Sequence, residues 1–596
     1  MAVLGSLFRR MFTAPPMSTD GYRGVVVPLE EAHLHSHSRR VGRTEFEERP
    51  TPEDGDDEDP MKDAEESMGM LEMSAAEYTI EGLRKEMRRG RGESSDYELR
   101  SKLVNKAIQD IGMGLYNWQL FALCGFGWFA DNLWMQGVSL TLPSLTADFG
   151  VPEKTVRYTT SALFLGLCFG SFVWGVGSDV LGRRLAFNYT LAITSVFGIA
   201  VSFAPTWGWT CLFFALLGFG VGGNLPVDGA LFLEFLPDAS SALLTLLSVW
   251  WPVGQFVSSV IAWYTISNWP ANEGWRLFVL AIGLITLAMF VIRCFVFKLL
   301  ESPKFLLSKG RQAEAVAVVH AIAHRNGAKT WLTEAVMDAV VDGNDRGDDL
   351  SSSSAHVPRR AATASGSSVL RDKLRAFSGA RLRPLFQNKT LGTATALVWF
   401  CWATIGMGYP LFNAFLPQYF ARVHNPTGDG TGGTGEEGGA ISQETYRNYA
   451  ITSVMGIPGA LLAAYLVDHQ SPWLGRRGTL AISTLVSAVF LFLFVTLGTT
   501  PNWQLFFSCV EAFTQNIMYG VLYAFTPEIF PAPVRGAGTG VASFLNRVTG
   551  LAAPVIAANV PGDGTTAPVY LSAVLILAAF VGMCLIPIET RGRQRL

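Results

Sequence analysis

The stretch Gly177–Arg184, GSDVLGRR, has a second copy, DHQSPWLGRR, that ends at Arg477, 293 positions after Arg184. Two further pairs of stretches lie at almost the same offset, namely LEFLP with PEIFP (Glu234 and Glu528, 294 positions apart) and ESPKFL with ETRGR (Glu301 and Glu589, 288 positions apart). Three matches at nearly one offset indicate that the chain contains a duplicated unit.

The composition of the chain is that of a membrane protein. Of its 596 residues, 49% are hydrophobic and 16% are charged, whereas about 25% of the residues of a soluble protein are charged. The apolar residues form twelve stretches, each close to the ~20 residues that cross ~30 Å of hydrocarbon. The stretches are residues 118–142, 158–177, 186–204, 209–233, 242–265, 276–298, 391–420, 448–467, 478–498, 503–525, 536–558 and 567–588. We therefore predict an all-α membrane protein of twelve transmembrane helices in two pseudo-symmetric halves of six, residues 117–300 and 391–590.

The charged loops predict an orientation. Lys and Arg residues gather in the loops on one side of the predicted helices, and the loops on the other side contain almost none. Because cytoplasmic loops carry such an excess, we expect both termini and residues 301–390 to be cytoplasmic. The loops expected on the opposite side are those around Pro205, around Asn268, at 421–447 and around Gly562. We expect an integral, multi-pass protein and favour the plasma membrane.

The segments outside the spans differ in composition. Residues 1–95 contain the acidic run EDGDDEDP among Pro, Ser and Gly, which predicts a disordered cytoplasmic tail. Residues 96–116 carry apolar side chains on one face, which predicts an amphipathic helix on the inner membrane surface. The central loop, 301–390, begins with short helices and becomes a Ser-rich linker. Residues 591–596 form the cytoplasmic C-terminus.

Several stretches resemble motifs of the major facilitator superfamily. GVGSDVLGRR (Gly175–Arg184) is similar to its G-x-x-x-D-x-x-G-R-R loop. ESPKFLLSKGR and IETRGR look like segments of its sugar-porter branch, and GFGVGGNLPVDGALFLEFLP and YAFTPEIFPAPVRGAGTG resemble its synaptic-vesicle-glycoprotein-like members. The resemblance covers about 117–592. It departs from the sugar-porter pattern at Phe214, where an Arg is expected, and this weakens an assignment to sugar transport.

The resemblance implies the major facilitator fold, in which two halves rock about a central site, and a charged gate at the cytoplasmic helix ends. Asp179 is implied to close this gate against the start of the eleventh span, with a solvated basic loop as the alternative. Glu234 and Glu528 are interpreted as a second layer of the gate, with simple anchoring of helix ends as the alternative. The implied gate residues are Asp179, Arg183, Arg184, Glu234, Arg476, Arg477, Glu528 and Arg535.

Polar residues within the spans predict a site near the middle of the membrane. In the tenth span, Glu511, Gln515 and Tyr519 recur every fourth residue and therefore share one helix face. Counting the helix rise places Glu511 and Asp131 near the bilayer centre, where polar groups face the bundle interior or a water-filled cavity. We expect one cavity lined by Asp131, Asn132, Gln136, Asn224, Asp228, Gln255, Asn413, Glu511, Gln515 and Tyr519.

These residues divide into two expected roles. A carboxyl group that is partly removed from water can exchange protons near neutral pH, so Asp131, Glu511 and Asp228 are expected to couple protons, with Arg547 as a candidate partner. The amides and the tyrosine are expected to bind substrate, with helix–helix hydrogen bonding as the open alternative. The expected substrate-binding residues are Asn132, Gln136, Asn224, Gln255, Asn413, Gln515 and Tyr519.

The function expected from these patterns is secondary active transport of a small polar solute by alternating access, coupled to protons. The sequence has no P-loop, so ATP drive is not expected. It has no nucleophile–base pair or metal-ligand spacing, so we expect neither an enzyme nor a metal or cofactor. The excess of carboxylates over bases mildly favours a neutral or cationic solute. The alternatives are an uncoupled facilitator and a nutrient sensor. The expected partners are the solute, protons and the lipid bilayer, without nucleic acid, and the expected state is a monomer.

Overall fold

The structure, a computed structural model of the chain, contains twelve long helices. It describes residues 18–35, 78–87, 96–237, 242–297, 299–342, 383–386, 388–424, 443–467, 475–530, 532–560 and 566–588. The long helices are α1 (Leu115–Phe149), α2 (Tyr158–Leu181), α3 (Arg183–Val201), α4 (Trp207–Val221, continued as Asn224–Phe235), α5 (Trp250–Asn268), α6 (Ala271–Val291), α7 (Lys389–Asn413), α8 (Gln443–Val467), α9 (Arg476–Thr496), α10 (Pro501–Ile529), α11 (Ala532–Asn559) and α12 (Thr566–Leu585). In these ranges the β-structure is a single isolated bridge, Val26 to Thr330. The predicted all-α, twelve-helix fold is confirmed.

Two of the long helices are less apolar than the others. Ten of the helices are long and apolar enough to cross a membrane. The other two, α1 and α10, carry Asp131 and Glu511. Most residues of α1 and α10 are buried among the other helices. Their polar side chains therefore face protein and not lipid, as polar groups in a membrane require.

The helices form two halves, α1–α6 and α7–α12, which meet where α2 packs on α11 and α5 packs on α8. Within the first half, the glycine run of α4 lies against the backbone of α2. A Cβ on Gly218 or Gly222 would overlap the carbonyl groups of Leu163 and Leu167. The glycines are therefore needed for the close approach of these two helices.

Part of the N-terminal tail is ordered, which differs from the predicted disorder. Residues 18–35 pack on the central-loop helix Gln312–Asn326, and the amide of Val27 donates to the carbonyl of Thr330 at 3.0 Å. The helix Ile80–Met87 packs on Glu334–Asp342. Apolar residues of these tail segments are buried in a core shared with the central loop, which offsets the entropy lost on ordering them. Residues 1–17, 36–77 and 88–95, with the acidic run, lie outside the described residues.

The predicted amphipathic segment is the helix Asp96–Ile111. Its side chains Leu103, Val104 and Ala107 are fully buried, and the helix packs on Pro303–Ser308 and Gln312–Asn326 of the central loop. The apolar face is therefore covered by protein, and not by the membrane surface as we predicted. The periodicity of the sequence is the same for both kinds of cover, so it could not distinguish them. The Ser-rich linker, 343–382, lies outside the described residues.

Candidate functional site

A cavity lies between the two halves, midway along the helices. Its volume is about 70 Å³, which is enough for several waters. Its lining residues are Asp131, Asn132, Met135, Phe164, Leu225, Trp251, Gln255, Gly406, Tyr409, Pro410, Gln515, Asn516, Tyr519, Tyr523, Asn546 and Arg547. Helices from both halves contribute, and five of the ten residues predicted to share one cavity belong to this lining.

Asp131 faces this cavity without a hydrogen-bond partner. Its side chain is 3% exposed, and its Oδ1 atom accepts no hydrogen bond from the described residues. Arg547, on α11 of the other half, lines the same cavity but does not form an ion pair with Asp131. A buried carboxylate in this arrangement has only the contents of the cavity as close partners.

An amide network joins the halves beside Asp131. Gln255 Nε2 donates to Asn132 Oδ1 at 2.8 Å and to the Tyr409 hydroxyl at 2.9 Å. These contacts link α1, α5 and α7 across the centre of the molecule. The side chains of Asn132 and Gln255 thus line the cavity and also hold helices together. Their binding of substrate stays a prediction.

A smaller cavity adjoins the first and contains Gln136 and Asn413, two more of the predicted substrate-binding residues. The Tyr449 hydroxyl donates to Gln136 Oε1 at 2.9 Å and lies 3.1 Å from the backbone oxygen of Asn413. Asn413 Nδ2 donates to Gln515 Oε1 at 2.9 Å. The polar stripe predicted on α10 therefore continues through Asn413 to the residues of the first half.

Glu511 lies behind this network and does not line either cavity. Its side chain is 1% exposed, and neither carboxylate oxygen accepts a hydrogen bond within the described part of the chain. The amide of Asn413 lies beside it, but this amide donates to Gln515. Its neighbours are Asn413 and Tyr409 of α7 and Tyr449 of α8, so Glu511 is surrounded by protein and does not take the expected place in the cavity lining.

Asp228 and Asn224 are also outside the cavity lining, contrary to the expected position. Asp228 is fully buried and accepts a hydrogen bond of 2.9 Å from Arg293 at the end of α6. Arg293 also donates to the backbone oxygens of Phe187 and Leu123, at 2.8 and 2.9 Å. The pair therefore joins α1, α3, α4 and the end of α6 inside the first half.

Several aromatic rings line the cavity or pack against its lining. The basic end of the bundle is the end that carries Arg183, Arg184, Arg476 and Arg477. Trp251 of the lining stacks on Trp128, with ring centroids 4.6 Å apart. Tyr523 packs edge-on against Trp251 at 5.0 Å, and Tyr409 packs edge-on against Tyr519 at 5.4 Å. The cavity therefore combines polar atoms with several ring faces.

The two-half architecture and the motifs agree with a direct sequence comparison. The model of the Major Facilitator Superfamily matches residues 120–554, which is more than half of the chain. The chain belongs to the Major Facilitator Superfamily. It is therefore an integral, multi-pass membrane protein of a transporter family, which is not a class of enzymes.

Individual relatives support the same assignment. The MFS siderochrome iron transporter 1 of Ceriporiopsis subvermispora is 40% identical over 513 residues, covering 84% of this chain and 92% of that protein. Synaptic vesicle 2-related protein of Pongo abelii is 28% identical over 503 residues, covering 82% of each chain. Among solved structures, the xylose transporter XylE from E. coli, in a partially occluded inward-open conformation, has a TM-score of 0.59 at 15% identity, covering 80% of this chain and 99% of its own. The family predicted from the motifs is confirmed.

At the end opposite the basic end, the halves of this major facilitator protein are bonded together. Arg157, at the start of α2, is fully buried. It donates to the backbone oxygen of Ala557 at 2.7 Å and to Gln418 Oε1 at 3.2 Å, and its guanidinium lies 5.0 Å from the centre of the Phe415 ring. These three partners all belong to the second half. The cavity is therefore closed toward this end.

At the basic end, the described ion pairs lie within each half. Arg183 pairs with Glu234 at 3.4 Å, and Arg476 pairs with Glu528 in the equivalent position of the second half. Glu301 accepts hydrogen bonds from the backbone amides of Arg183 and Arg184. Burial raises the pKa of Glu301, although these hydrogen bonds oppose the rise. The duplicated motifs thus form equivalent charge pairs in the two halves.

The contacts of the remaining predicted gate residues do not test a gate role. Arg184 contributes its backbone amide to Glu301, and Arg477 donates to the backbone oxygen of Cys584 at 2.6 Å. The side chains of Asp179 and Arg535 lie outside the described part of the structure. The gate role of the whole set stays a prediction.

Two arginines that were not predicted from the sequence make contacts as extensive as those of the predicted residues. Arg157 and Arg293 are both fully buried. The signal that could have found them is the presence of an arginine at an apolar span, because such a charge is expensive unless it has a partner. Their partners lie far along the chain, which is why the sequence alone did not reveal them.

Proposed function

We propose that this protein is a secondary active transporter that moves a small polar solute by alternating access and couples that movement to protons. The observation that carries the proposal is the cavity between the halves, into which Asp131 points without a partner. A site between two six-helix repeats is the arrangement that rocking of the repeats exposes to each side in turn.

Proton coupling is proposed from two carboxyl groups, one from each half. Asp131 belongs to α1 and Glu511 to α10, and both have buried oxygen atoms without hydrogen-bond partners among the described residues. Removing an ionised carboxylate from water costs several kcal/mol unless it gains a partner. A proton that binds to these groups removes that cost, and rocking of the halves changes the surroundings of both groups together. Binding and release of the proton can therefore follow the conformational change.

The closed end of the bundle defines the step that must follow. The contacts of Arg157 with Ala557 and Gln418 have to break before the cavity can open at that end. The solute and the proton, which compensate the polar groups of the cavity, are proposed to lower the cost of this rearrangement.

The test is transport by purified protein in lipid vesicles. A panel of labelled polyols, amines and betaines is screened first, and a solute that accumulates under a pH gradient is then used to compare variants. The variants Asp131→Asn and Glu511→Gln keep the shape of each side chain but remove its titration. We expect each to lose accumulation driven by the pH gradient while exchange of the same solute across the membrane continues. Asp148→Asn is the matched control, because Asp148 lies on α1 but pairs with Arg276 at the far end of the helix.

Accumulation that survives in both variants would exclude a proton role for these carboxyl groups and favour an uncoupled facilitator. Saturable binding without any transport in vesicles would favour the nutrient sensor.

We also propose that the protein is a monomer of the plasma membrane with both termini and the central loop cytoplasmic. The support is the excess of Lys and Arg residues at the basic end. An epitope inserted between Gly428 and Gly439 should bind antibody on intact cells, and labelling only after permeabilisation would reverse the orientation.

A further inference from the structure

The central cavity contains one charged group of each sign, and the two act on each other through space without forming an ion pair. Asp131 supplies a carboxylate from the first half and Arg547 a guanidinium from the second. Asp131 Oδ1 has no hydrogen-bond partner, and Arg547 makes no hydrogen bond or ion pair with another described residue. Both side chains are more than nine-tenths buried, at 3% and 7% exposure. Protein groups therefore leave both charges available to the contents of the cavity.

Two such charges are costly in an empty site. Each ion loses much of its hydration inside the bundle, and a lone charge at membrane depth is expensive. Direct pairing would remove that cost, but the two groups belong to different halves and form no ion pair in this structure. A solute with only one charge would compensate one group and leave the other. A solute with a cationic group at one end and an acidic group at the other compensates both at once.

The cavity also offers partners for both ends of a solute. The rings of Trp251, Tyr519 and Tyr523 line the cavity together with Asp131 and Arg547, and ring faces attract cations, including quaternary ammonium groups. The indole N–H of Trp251 has no partner among the described residues and is a further donor beside the guanidinium of Arg547. The carboxylate and the rings suit an ammonium group, and the guanidinium suits a carboxylate, with which it can form two parallel hydrogen bonds.

We propose that the solute recognised by this cavity is a small zwitterion, which bridges the halves by binding its cationic group to Asp131 and its acidic group to Arg547. The proposal rests on the transport function proposed above and specifies its substrate class. Asp131 is ionised while the solute is bound and takes up the proton when the solute has left, so the two occupy this carboxyl group in turn. The zwitterion has no net charge, so its entry does not add charge to the bundle. Because one solute contacts both halves, its binding also favours the closed arrangement in which the two walls are near each other.

The first experiment uses the parent protein, purified in detergent, and compares matched probes. The zwitterions are trimethylammonium carboxylates with one to four methylene groups between the charges. Each has two analogues, a cation in which a carboxamide replaces the carboxylate and an anion in which a tert-butyl group replaces the trimethylammonium group. Binding is measured by calorimetry or by the shift in melting temperature. We expect one chain length of the zwitterion to bind at least about tenfold more tightly than both of its analogues, since each charge-assisted contact contributes about that factor.

The second experiment asks which side chain recognises which end. Arg547→Gln should weaken binding of the zwitterion by about tenfold or more, while the affinity for the cationic carboxamide should change by less than about twofold. Asp131→Asn should weaken binding of the zwitterion and of the carboxamide to the same degree, and should leave the affinity for the anionic analogue unchanged. Arg447→Gln, which changes an exposed arginine of the second half outside the cavity lining, is the matched control and should keep the preference for the zwitterion. A reciprocal pattern of this kind does not arise from misfolding, which would weaken all three probes together.

The outcomes separate this proposal from the proposed function. Equal binding of the zwitterions and their analogues by the parent protein, or no zwitterion binding while a polyol or a simple amine is transported, would overturn the zwitterion proposal and leave transport intact. Tight, reciprocal binding of a zwitterion without movement of any solute into vesicles would support the zwitterion site and contradict transport.

Discussion

Asp131 and Asp228 are two buried aspartates of the same half with opposite surroundings. Asp228 is held at 2.9 Å by Arg293, which also donates to two backbone oxygens. Asp131 has no such partner and faces the cavity between the halves. The chemistry of the two side chains is the same, so the difference lies in what has been packed around each. A paired carboxylate joins helices, whereas an unpaired one remains available to the solute and to protons.

The largest expected effect comes from breaking the pair. Arg293→Met leaves Asp228 buried without its partner, which is expected to cost about 3–5 kcal/mol of stability. The measurement is thermal unfolding of purified protein in detergent, with the fraction of monodisperse protein as a second reading. Asp131→Asn is the matched control and should change the unfolding temperature little, because Asp131 loses no partner.

The double variant Asp228→Asn with Arg293→Met sharpens this comparison. It leaves no uncompensated charge and should recover much of the stability that Arg293→Met loses. If Arg293→Met unfolds at the same temperature as the parent, the pair does not hold the first half together as described.

An intermediate effect is expected at the closed end, where Arg157 crosses between the halves and Arg293 does not. Arg157→Gln removes the charged group that donates a hydrogen bond to the backbone oxygen of Ala557. The population of states open at this end should therefore rise about tenfold. The measurement is the labelling rate of a cysteine introduced at Asn132 in the cavity, with reagent added from that side. Thermal stability should change less than in Arg293→Met.

Lys154→Gln is the control for the closed end, since the Lys154 ammonium group lies 3.4 Å from the backbone oxygen of Val560 in a long, exposed contact. Its effect on the labelling rate should be below about twofold. A labelling rate in Arg157→Gln equal to that of the parent would show that the halves are held together by other contacts.

The smallest effect is expected from the pairs at the basic end. Glu234→Gln and Glu528→Gln each remove one ion pair whose side chains are 10–19% exposed, so each should lose less stability than the loss of the fully buried Arg293–Asp228 pair causes. We expect similar small changes in unfolding temperature for the two variants, because the pairs are equivalent in the two halves. A loss of stability in either variant as large as that of Arg293→Met would contradict the expected difference between the fully buried pair and the pairs at the basic end.

Much of the fold could be predicted from the sequence. Span length, the repeat offset and the charged motifs predicted twelve helices in two halves and the superfamily. Half of the predicted lining residues are in the main cavity, and Gln136 and Asn413 are in the adjoining one. The misplaced residues, Asn224, Asp228 and Glu511, have the same polar character as the correct ones. Position within a span indicates depth in the membrane, but not which neighbour each side chain faces.

The sequence by itself determined the number of helices, their division into two halves and the depth of the polar residues. These features depend on local hydrophobicity and helix rise, which are properties of consecutive residues. Only the tertiary structure decided that Asp228 is paired, that Asp131 shares a cavity with Arg547 without touching it, and that Arg157 crosses between the halves. The two contacts join different helices. Asp228 and Arg293 are 65 positions apart along the chain, and Arg157 and Ala557 are 400 positions apart. Such contacts depend on how the helices rotate and pack against each other, which no local pattern specifies.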